Sequence, residues 1–386
     1  MSRMLKVLIA HNAYQQRGGE DSVVDSECEL LRAHGHEVEV FRRHNDDVEG
    51  MSKAALALQT VWSTESSQEL LAQLDGFQPD VVHVHNTLPL ISPSIYWAAH
   101  RRGLPVVQTL HNFRLMCPQA MFLRDGRVCE DCLGHVPWKG VMRACYRGSR
   151  AQTAVLAASV TMHKAMGTYR DKVTRYIALN QFCRQKFVDG GLPANKVVIK
   201  PNFVEDAGLP TWDDRQGGLF VGRLSTDKGV AVLLQAQQLS GASMDVIGAG
   251  DLLEKVRQQL GHRALGFLSV AEIITKMRRA SYLVVPSLWY ENFPRTLVEA
   301  FSCGLPVIAS RLGALAELVE DGKTGLLFEP GNAQDLAEKL SWAQANPQTM
   351  SQMGRNARLK YEQAYSPQTN YEQLLAIYQD ALISAR

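Results

Sequence analysis

Leu288-Trp289-Tyr290-Glu291-Asn292-Phe293-Pro294-Arg295-Thr296-Leu297-Val298-Glu299-Ala300 follows the apolar run Tyr282-Leu283-Val284-Val285-Pro286-Ser287 and leads into apolar positions at helical spacing. The run predicts a buried strand, so the motif sits at a strand-to-helix turn. Pro294 suits the first helical position, where its fixed φ is already right and its missing N–H costs nothing. A helix is therefore expected from about Pro294, with Glu299 on its second turn and Glu291 in the loop before it. Unpaired amides at such a helix start, over residues 292–296, are a seat for phosphate oxygens. Two carboxylates flanking an anion seat suit a sugar carried on a diphosphate: acids for hydroxyls, amides for phosphates. A solvated glutamate beside a structural one near the helix dipole is the other reading of the pair, and the remaining chain has to decide.

The chain has 386 residues, which points to two domains. Hydrophobic content of 46% with 21% charge is that of a soluble globular protein. No apolar run is long enough to cross a bilayer, and Met1-Ser2-Arg3-Met4-Leu5-Lys6 enters a strand without a leader pattern, so a cytoplasmic protein is expected. The net charge of +2 hides an asymmetry: between Lys139 and Lys186 there are ten Lys or Arg and one acid, Asp171. Such a window is either a solvated basic face or an attraction for anionic lipid or a phosphate-bearing acceptor, placing the protein peripherally on the inner face of a membrane. No nucleic-acid partner is expected.

In chain order, Leu5 to Asn12 is a buried strand, a Gly18-Gly19 loop follows, and Val23, Val24, Cys28 and Leu31 recur at helical spacing. Strand, glycine loop, helix opens a Rossmann-like domain, and paired glycines admit a ligand close to backbone. The three spaced glycines of a dinucleotide site are absent, so NAD is not expected. Further strands are expected at 37–41, 80–85, 105–111, 176–180 and 196–200, with helices between most of them, which predicts a parallel sheet covered on both faces. The segment 112–150 has another texture, poor in periodic apolar positions, and carries Cys117, Cys129, Cys132 and Cys145. Those four are a candidate four-thiolate structural zinc staple, with reduced thiols in a cytosolic loop as the other reading. Residues 203–216, rich in acid, Gly and Pro, are the expected linker. Strand–helix alternation then restarts at Gly218 and runs to about residue 345, a second Rossmann-like domain. The final helical stretch, Asn370 to Ser384, has an apolar stripe and is expected to cross back onto the first domain.

In the second domain, Gly222-Arg223-Leu224-Ser225-Thr226-Asp227-Lys228-Gly229 leaves the first strand at the carboxyl edge, where open α/β sheets bind ligands. Arg223 and Lys228 are suited to neutralise a diphosphate, and Gly222 and Gly229 to let it approach. Gly248-Ala249-Gly250 follows the next strand, and the Glu291–Glu299 motif a later one. Three loops converge on one sheet edge, and their residue types fit a nucleoside diphosphate.

With these pieces the sequence resembles a family 4 retaining glycosyltransferase of the GT-B fold. The resemblance rests on Glu291 and Glu299, separated by seven residues, on Gly222-Arg223-Leu224 with Lys228-Gly229, on Pro201-Asn202, on Gly313 with Glu317, and on Gly18-Gly19. It implies two Rossmann-like domains facing across a cleft, residues 1–204 with 366–386 on the acceptor side and 205–365 holding the donor. It implies that Arg223 and Lys228 bind the donor diphosphate, with Gly222, Gly248 and Gly250 beside it. Glu299 would grip the ribose, Glu291 would lie by the donor sugar with Asn292, Phe293, Pro294 and Arg295, His111 would contact the transferred sugar, and Gly18 and Gly19 would sit by the phosphates and acceptor. Many members have Gly-Phe-Gly where this chain has Asn292-Phe293-Pro294, and the proline removes one amide donor.

The implied reaction moves a sugar from a nucleotide-diphosphate sugar to a hydroxyl of a saccharide or lipid-linked acceptor with retention, in bacterial polysaccharide or glycolipid assembly. Negative charge grows on the diphosphate, where Arg223, Lys228 and helix amides stabilise it. No metal or other cofactor is then required, and no Asp-x-Asp pair occurs in the chain. Glu291 lacks the partner acid that a glycosidase nucleophile needs. A nucleotide-sugar epimerase or hydrolase on the same fold, and a non-catalytic sugar-nucleotide-binding partner, remain as alternatives.

Overall fold

The computed structural model describes residues 3–385; the chain start at Met1 and Ser2 lies outside them. Fourteen strands run in chain order: β1 (Lys6–Ala13), β2 (Glu37–His44), β3 (Val81–Asn86), β4 (Val106–Thr109), a hairpin of β5 (Leu123–Arg124) and β6 (Arg127–Val128), β7 (Arg175–Ala178), β8 (Val197–Ile199), β9 (Gly218–Val221), β10 (Met244–Ile247), β11 (Ala264–Gly266), β12 (Tyr282–Val285), β13 (Val307–Ser310) and β14 (Gly325–Phe328). The chain packs as two compact units. Among the described residues, one comprises 3–122, Glu130–Pro201 and 371–385, the other Leu123–Cys129 and Asn202–Asn370.

The first unit holds a six-stranded sheet in the order β2-β1-β3-β4-β7-β8, and every pairing in it is parallel. Its inner strands β1, β3, β4 and β7 are buried on both faces, which is why they read as near-continuous apolar runs, whereas the edge strand β2 is mostly half-buried and carries Glu37, Glu39, Arg42 and Arg43. One face packs Val7, Ile9, Val81, Val107 and Ile177 against Val24, Cys28 and Leu31 of the helix Gly19–Ala33 and against Tyr371, Leu374, Ile377 and Tyr378 of the C-terminal helix. That helix is also anchored by polar contacts. The Tyr371 hydroxyl meets His36 Nε2 at 2.9 Å, the Tyr378 hydroxyl meets His83 Nδ1 at 2.7 Å, and Arg175 donates to Asp380.

The second unit holds a six-stranded parallel sheet in the order β11-β10-β9-β12-β13-β14. Its core sets Phe220, Val246, Val284 and Ile308 against the helices Val230–Ser240 and Ala333–Ala345. The acid- and Pro-rich stretch expected as the linker makes several contacts to this unit. Trp212 Nε1 donates to the Gly304 carbonyl, Arg215 to the Cys303 carbonyl, and Asp206 pairs with the nearly buried Arg358 at 2.6 Å.

Strand order locates the ligand edges. In the second sheet the order reverses between β9 and β12, and in the first between β1 and β3. Open α/β sheets bind ligands outside the carboxyl ends of strands at such switch points. The loops after β9 and β12 are those that carry Gly222–Gly229 and Glu291–Glu299. The loop after β1 carries Gly18 and Gly19. No helix among the described residues is long and apolar enough to cross a membrane.

Candidate active site

The second-unit site is built by backbone approach. At Gly248, with φ of +147°, a Cβ would fall 1.8 Å from the Gly222 carbonyl oxygen, and at Gly229 one would fall 1.8 Å from the Pro286 carbonyl oxygen. These glycines are therefore needed to press the loops after β9, β10 and β12 together. At Gly222 the nearest atom to a Cβ, on the Phe220 ring, is 3.5 Å away. A side chain at Gly222 would meet only ordinary van der Waals contact, whereas Gly229 and Gly248 serve loop packing first.

The helix after β12 is Arg295–Ser302, and Pro294 is its N-cap with an extended ψ of 104°, not its first helical residue. The displacement is small and has a reason: Pro294 has no N–H to satisfy, so it is tolerated one position earlier while Arg295 makes the first turn. Phe293 turns inward, its ring 5.9 Å from that of Tyr365. Only the backbone of Phe293 is then left to meet a ligand.

Glu291 is almost wholly buried, and its Oε1 takes three donors: Lys228 Nζ at 2.6 Å, Ser287 Oγ at 2.6 Å and Trp289 Nε1 at 3.1 Å. Lys228 also lies over the Trp289 ring, 5.3 Å from its centroid. Within the described residues no hydrogen bond reaches Glu291 Oε2, and that oxygen is not sealed from solvent. One oxygen is saturated and the other stays open for a hydroxyl donor. Glu299 lies 3.8 Å from Arg295, and burial raises its carboxyl above the usual range despite that guanidinium. Arg295 Nη1 is buried with no acceptor, a donor without a partner at this edge. Arg223 is exposed, bonds Ser225 Oγ at 3.1 Å and pairs with Asp227 at 2.8 Å. Both cations expected on the diphosphate are thus paired with carboxylates. A separate cavity of about 360 Å³, lined by Trp212, Arg215, Ser281 and Met350, lies at the opposite, amino edge of this sheet.

In the first unit Gly18 caps the helix Gly19–Ala33. The Asp21 carboxylate gathers the loop by accepting from Gly18 N–H at 2.8 Å and Tyr14 N–H at 3.2 Å, and it meets His11 Nε2 at 2.8 Å. Burial pushes Asp21 up, but those bonds outweigh it and leave the carboxyl below its ordinary value. Beside it the Tyr14 hydroxyl donates to Glu20 Oε2 at 2.7 Å. Burial lifts Glu20 to about 7, against the pull of Tyr14, Arg114 and Asn112. Glu20 was not among the expected site residues; its place directly after Gly18-Gly19 was the available signal.

His111 lies two residues past the end of β4, half-buried, with Nε2 2.8 Å from His85 Nδ1. Burial holds both rings well below the ordinary histidine value, helped by neighbouring His83 and Lys200. Among the described residues, the group of metal-type ligands within 4.8 Å of one another is Glu27, His83 and His85. It does not suit a cation: Lys200 Nζ is 2.7 Å from Glu27, and both His83 nitrogens are engaged, by Tyr378 and by Thr109 at 2.8 Å. In the cysteine segment, Cys117 and Cys132 are buried and Cys129 and Cys145 half-buried.

Two Rossmann-like units, each with its loops at a switch point and one carrying paired glutamates and cations there, define the class of GT-B glycosyltransferases. The chain belongs to the group 1 glycosyltransferases of family 4. Residues 211–360 match the family described as Glycosyl transferases group 1, and residues 17–207 match Glycosyltransferase Family 4. An uncharacterized glycosyltransferase of Methanocaldococcus jannaschii is 36% identical over 185 residues, 46% of this chain and 52% of that protein, so the match spans about half of it. The D-inositol 3-phosphate glycosyltransferase of Corynebacterium aurimucosum is 26% identical over 95% of this chain and 91% of its own length. In fold, the chain is similar to Anabaena HepE in complex with UDP and glucose, with a TM-score of 0.67, 19% identity, and coverage of 97% of this chain and 99% of that one.

Proposed function

We propose that this protein transfers a sugar, with retention, from a nucleoside diphosphate to a hydroxyl acceptor, without a metal cofactor. The observation that carries the reading is the β9–β12 switch point. There Glu291 offers one open oxygen, Arg295 Nη1 has no acceptor, and Lys228 and Arg223 stand within reach of the same edge. Diphosphate oxygens would draw Lys228 and Arg223 from their carboxylates, placing positive charge where the leaving group becomes more negative. Glu291 Oε2 would take a sugar hydroxyl and Glu299 the ribose. His111 would contact the transferred sugar, and the loop at Gly18 and Gly19 would sit by the acceptor.

The acceptor is read as a saccharide or lipid-linked sugar of bacterial polysaccharide or glycolipid assembly. Val136, Trp138 and Met142 are each more than half exposed, and Lys139, Arg143, Arg147 and Arg150 share their segment. Exposed apolar side chains interspersed in sequence with basic ones suit an anionic membrane surface. Flotation with anionic vesicles, lost in Trp138→Ala/Met142→Ala and at high salt, is expected; equal flotation with neutral lipid removes this part. Metal analysis of the purified protein decides between reduced thiols and structural zinc at Cys117, Cys129, Cys132 and Cys145.

The main test is a melting-point screen against nucleotide sugars, headed by UDP-sugars, since a donor that binds only the folded state raises the melting point. Donor binding and transfer, unaffected by chelator, should be lost in Lys228→Ala and Glu299→Ala. Transfer that survives both substitutions unchanged would sink the site. Rapid donor turnover without acceptor would favour the hydrolase or epimerase reading.

A further inference from the structure

A row of buried polar groups stands behind His111 in the first unit, and the transfer as described does not use it. Lys200 and Glu27 are wholly buried, and His85 nearly so. Lys200 Nζ donates to Glu27 Oε1 at 2.7 Å. Glu27 Oε2 and His85 Nε2 each lack any hydrogen-bond partner, and they lie 3.4 Å apart. On the other side of its ring, His85 Nδ1 is 2.8 Å from His111 Nε2, with the two rings stacked at an interplanar angle of 19°. A buried ion pair is no more stable than apolar packing of the same volume and is often less so. Its presence under the carboxyl edge of a sheet therefore asks for a use.

We propose that Glu27, acting through His85, locks His111 in the tautomer whose Nδ1 is bare, so that this half-exposed ring accepts a hydrogen bond from a hydroxyl of the bound sugar. The last clause rests on the transferase reading; the lock itself does not.

The proton count follows from the contacts. A neutral imidazole carries one N–H and one lone pair. The negative charge of Glu27 Oε2, 3.4 Å from His85 Nε2, favours the proton there, which leaves His85 Nδ1 as a lone pair. Across 2.8 Å only His111 Nε2 can then donate, so the remaining His111 nitrogen, Nδ1, has no proton. His83 does not compete strongly, because it lies 3.8 Å from Glu27 Oε2 and is occupied by Tyr378 and Thr109. His11 faces His85 edge-on at 6.4 Å between centroids and gives its Nε2 to Asp21. Glu27 and His85 are thus positioning residues, and only His111 would touch substrate.

Glu27→Gln tests the lock because Lys200 dictates which way the amide points. The ammonium can only donate, so it takes the amide oxygen and leaves the amide NH2 facing His85 Nε2. That nitrogen must then be bare, His85 Nδ1 carries the proton, and the whole row reverses, leaving His111 protonated on Nδ1. Long-range ¹H–¹⁵N spectra of ¹⁵N-histidine-labelled full-length protein read this directly, with His111→Gln identifying the resonance. The expected result is an Nε2–H tautomer in the wild type and an Nδ1–H tautomer in Glu27→Gln. His85→Phe, which removes the acceptor without adding a charge, should give a mixture of both and serves if Glu27→Gln does not fold. A wild-type His111 protonated on Nδ1, or a His111 resonance unchanged in both variants, overturns the lock. With the donor found by the melting screen, Glu27→Gln should lower kcat about tenfold, about 1.4 kcal/mol of barrier, while the donor-induced melting shift persists. A reversed tautomer with unchanged kcat overturns the role in sugar contact. The spectra require no turnover, so a wild type that transfers no sugar sinks the transferase reading and leaves the lock to be judged by NMR.

Discussion

Glu20→Gln should stabilise the protein at pH 8 and leave it nearly unchanged at pH 4.5. The carboxyl is lifted from 4.5 to about 7 chiefly by burial, and its proton-free form sits beside Asp21 as well. A folded-state value above the unfolded one means that the native chain holds a proton the unfolded chain releases. The stability tied to that proton is fully present below about 4.5 and is lost as pH rises through about 7. At 1.36 kcal/mol per unit the loss is about 3 kcal/mol, an upper figure because Glu20 is only partly enclosed. The amide introduced by the substitution keeps an oxygen for the Tyr14 hydroxyl and carries no charge to desolvate. Calorimetric or urea unfolding of wild type and variant at intervals from pH 4.5 to 8 measures the difference, followed in the transition of the first unit because the chain has two units. His11, Asp21 and Arg114 are present in both proteins and largely cancel. A wild-type minus variant difference that stays flat across this range would refute the reasoning, because a lost contact alone carries no pH dependence.

Glu291→Ala removes the acceptor of Lys228, Ser287 and Trp289 together and leaves a largely buried ammonium unpaired, so a loss of about 3 kcal/mol in the second unit is expected by chemical denaturation. Glu291→Gln, which keeps an acceptor, should lose less stability. Gly248→Ala should lower the melting point and abolish donor binding together, since its Cβ would overlap the Gly222 carbonyl, whereas Gly222→Ala should fold normally. Circular dichroism melts and donor titrations separate the two. Tyr378→Phe strips the hydroxyl from buried His83 and should destabilise the first unit by about 1–2 kcal/mol; no change in its unfolding midpoint would show that this hydrogen bond adds nothing to the hold on the C-terminal helix.

What could be read beforehand follows from periodicity. The parallel strands were legible because both faces are buried, as in Val7 to Ala10, and the C-terminal helix because Tyr371, Leu374 and Tyr378 mark one stripe. The helices Lys53–Val61, Thr64–Phe77 and Pro347–Ala364 are not placed individually by the sequence pattern. The last of these carries three Gln and two Arg, and its buried positions include Gly354 and Arg358, which no apolar count finds. Asp206 read as a linker acid because its partner, Arg358, is 152 residues away. In the candidate site, residue types and spacing marked Glu291, Glu299, Lys228 and Arg223. Spacing does not reveal that Lys228 is bound to Glu291 across 63 residues, or that Glu27 and Lys200 meet across 173. Buried ion pairs form through the topology, so one sequence read along its length leaves them unseen.

The pairing of Lys228 with Glu291 changes what donor recognition must accomplish. A cation already neutralised by a carboxylate attracts a diphosphate weakly from a distance, and Arg223 is likewise engaged by Asp227. In the proposed site, affinity would then depend on exchange of partners at short range, with Arg295 Nη1 as the donor that needs no exchange. If Lys228 moves to phosphate, Glu291 Oε1 keeps Ser287 and Trp289, so the carboxylate stays in place while losing its ion pair. Its negative charge becomes less compensated at the moment the diphosphate withdraws and the sugar turns positive. In the proposed transfer, binding of the leaving group and stabilisation of the sugar would thereby be coupled through one lysine. On this argument Lys228→Met should weaken diphosphate binding and also lower the rate for donor that does bind. Glu291→Gln should lower the rate while keeping the affinity for a nucleoside diphosphate, which has no sugar for the carboxylate to meet. Nucleoside diphosphate affinity falling as far in Glu291→Gln as in Lys228→Met would show that the pair acts only as a scaffold.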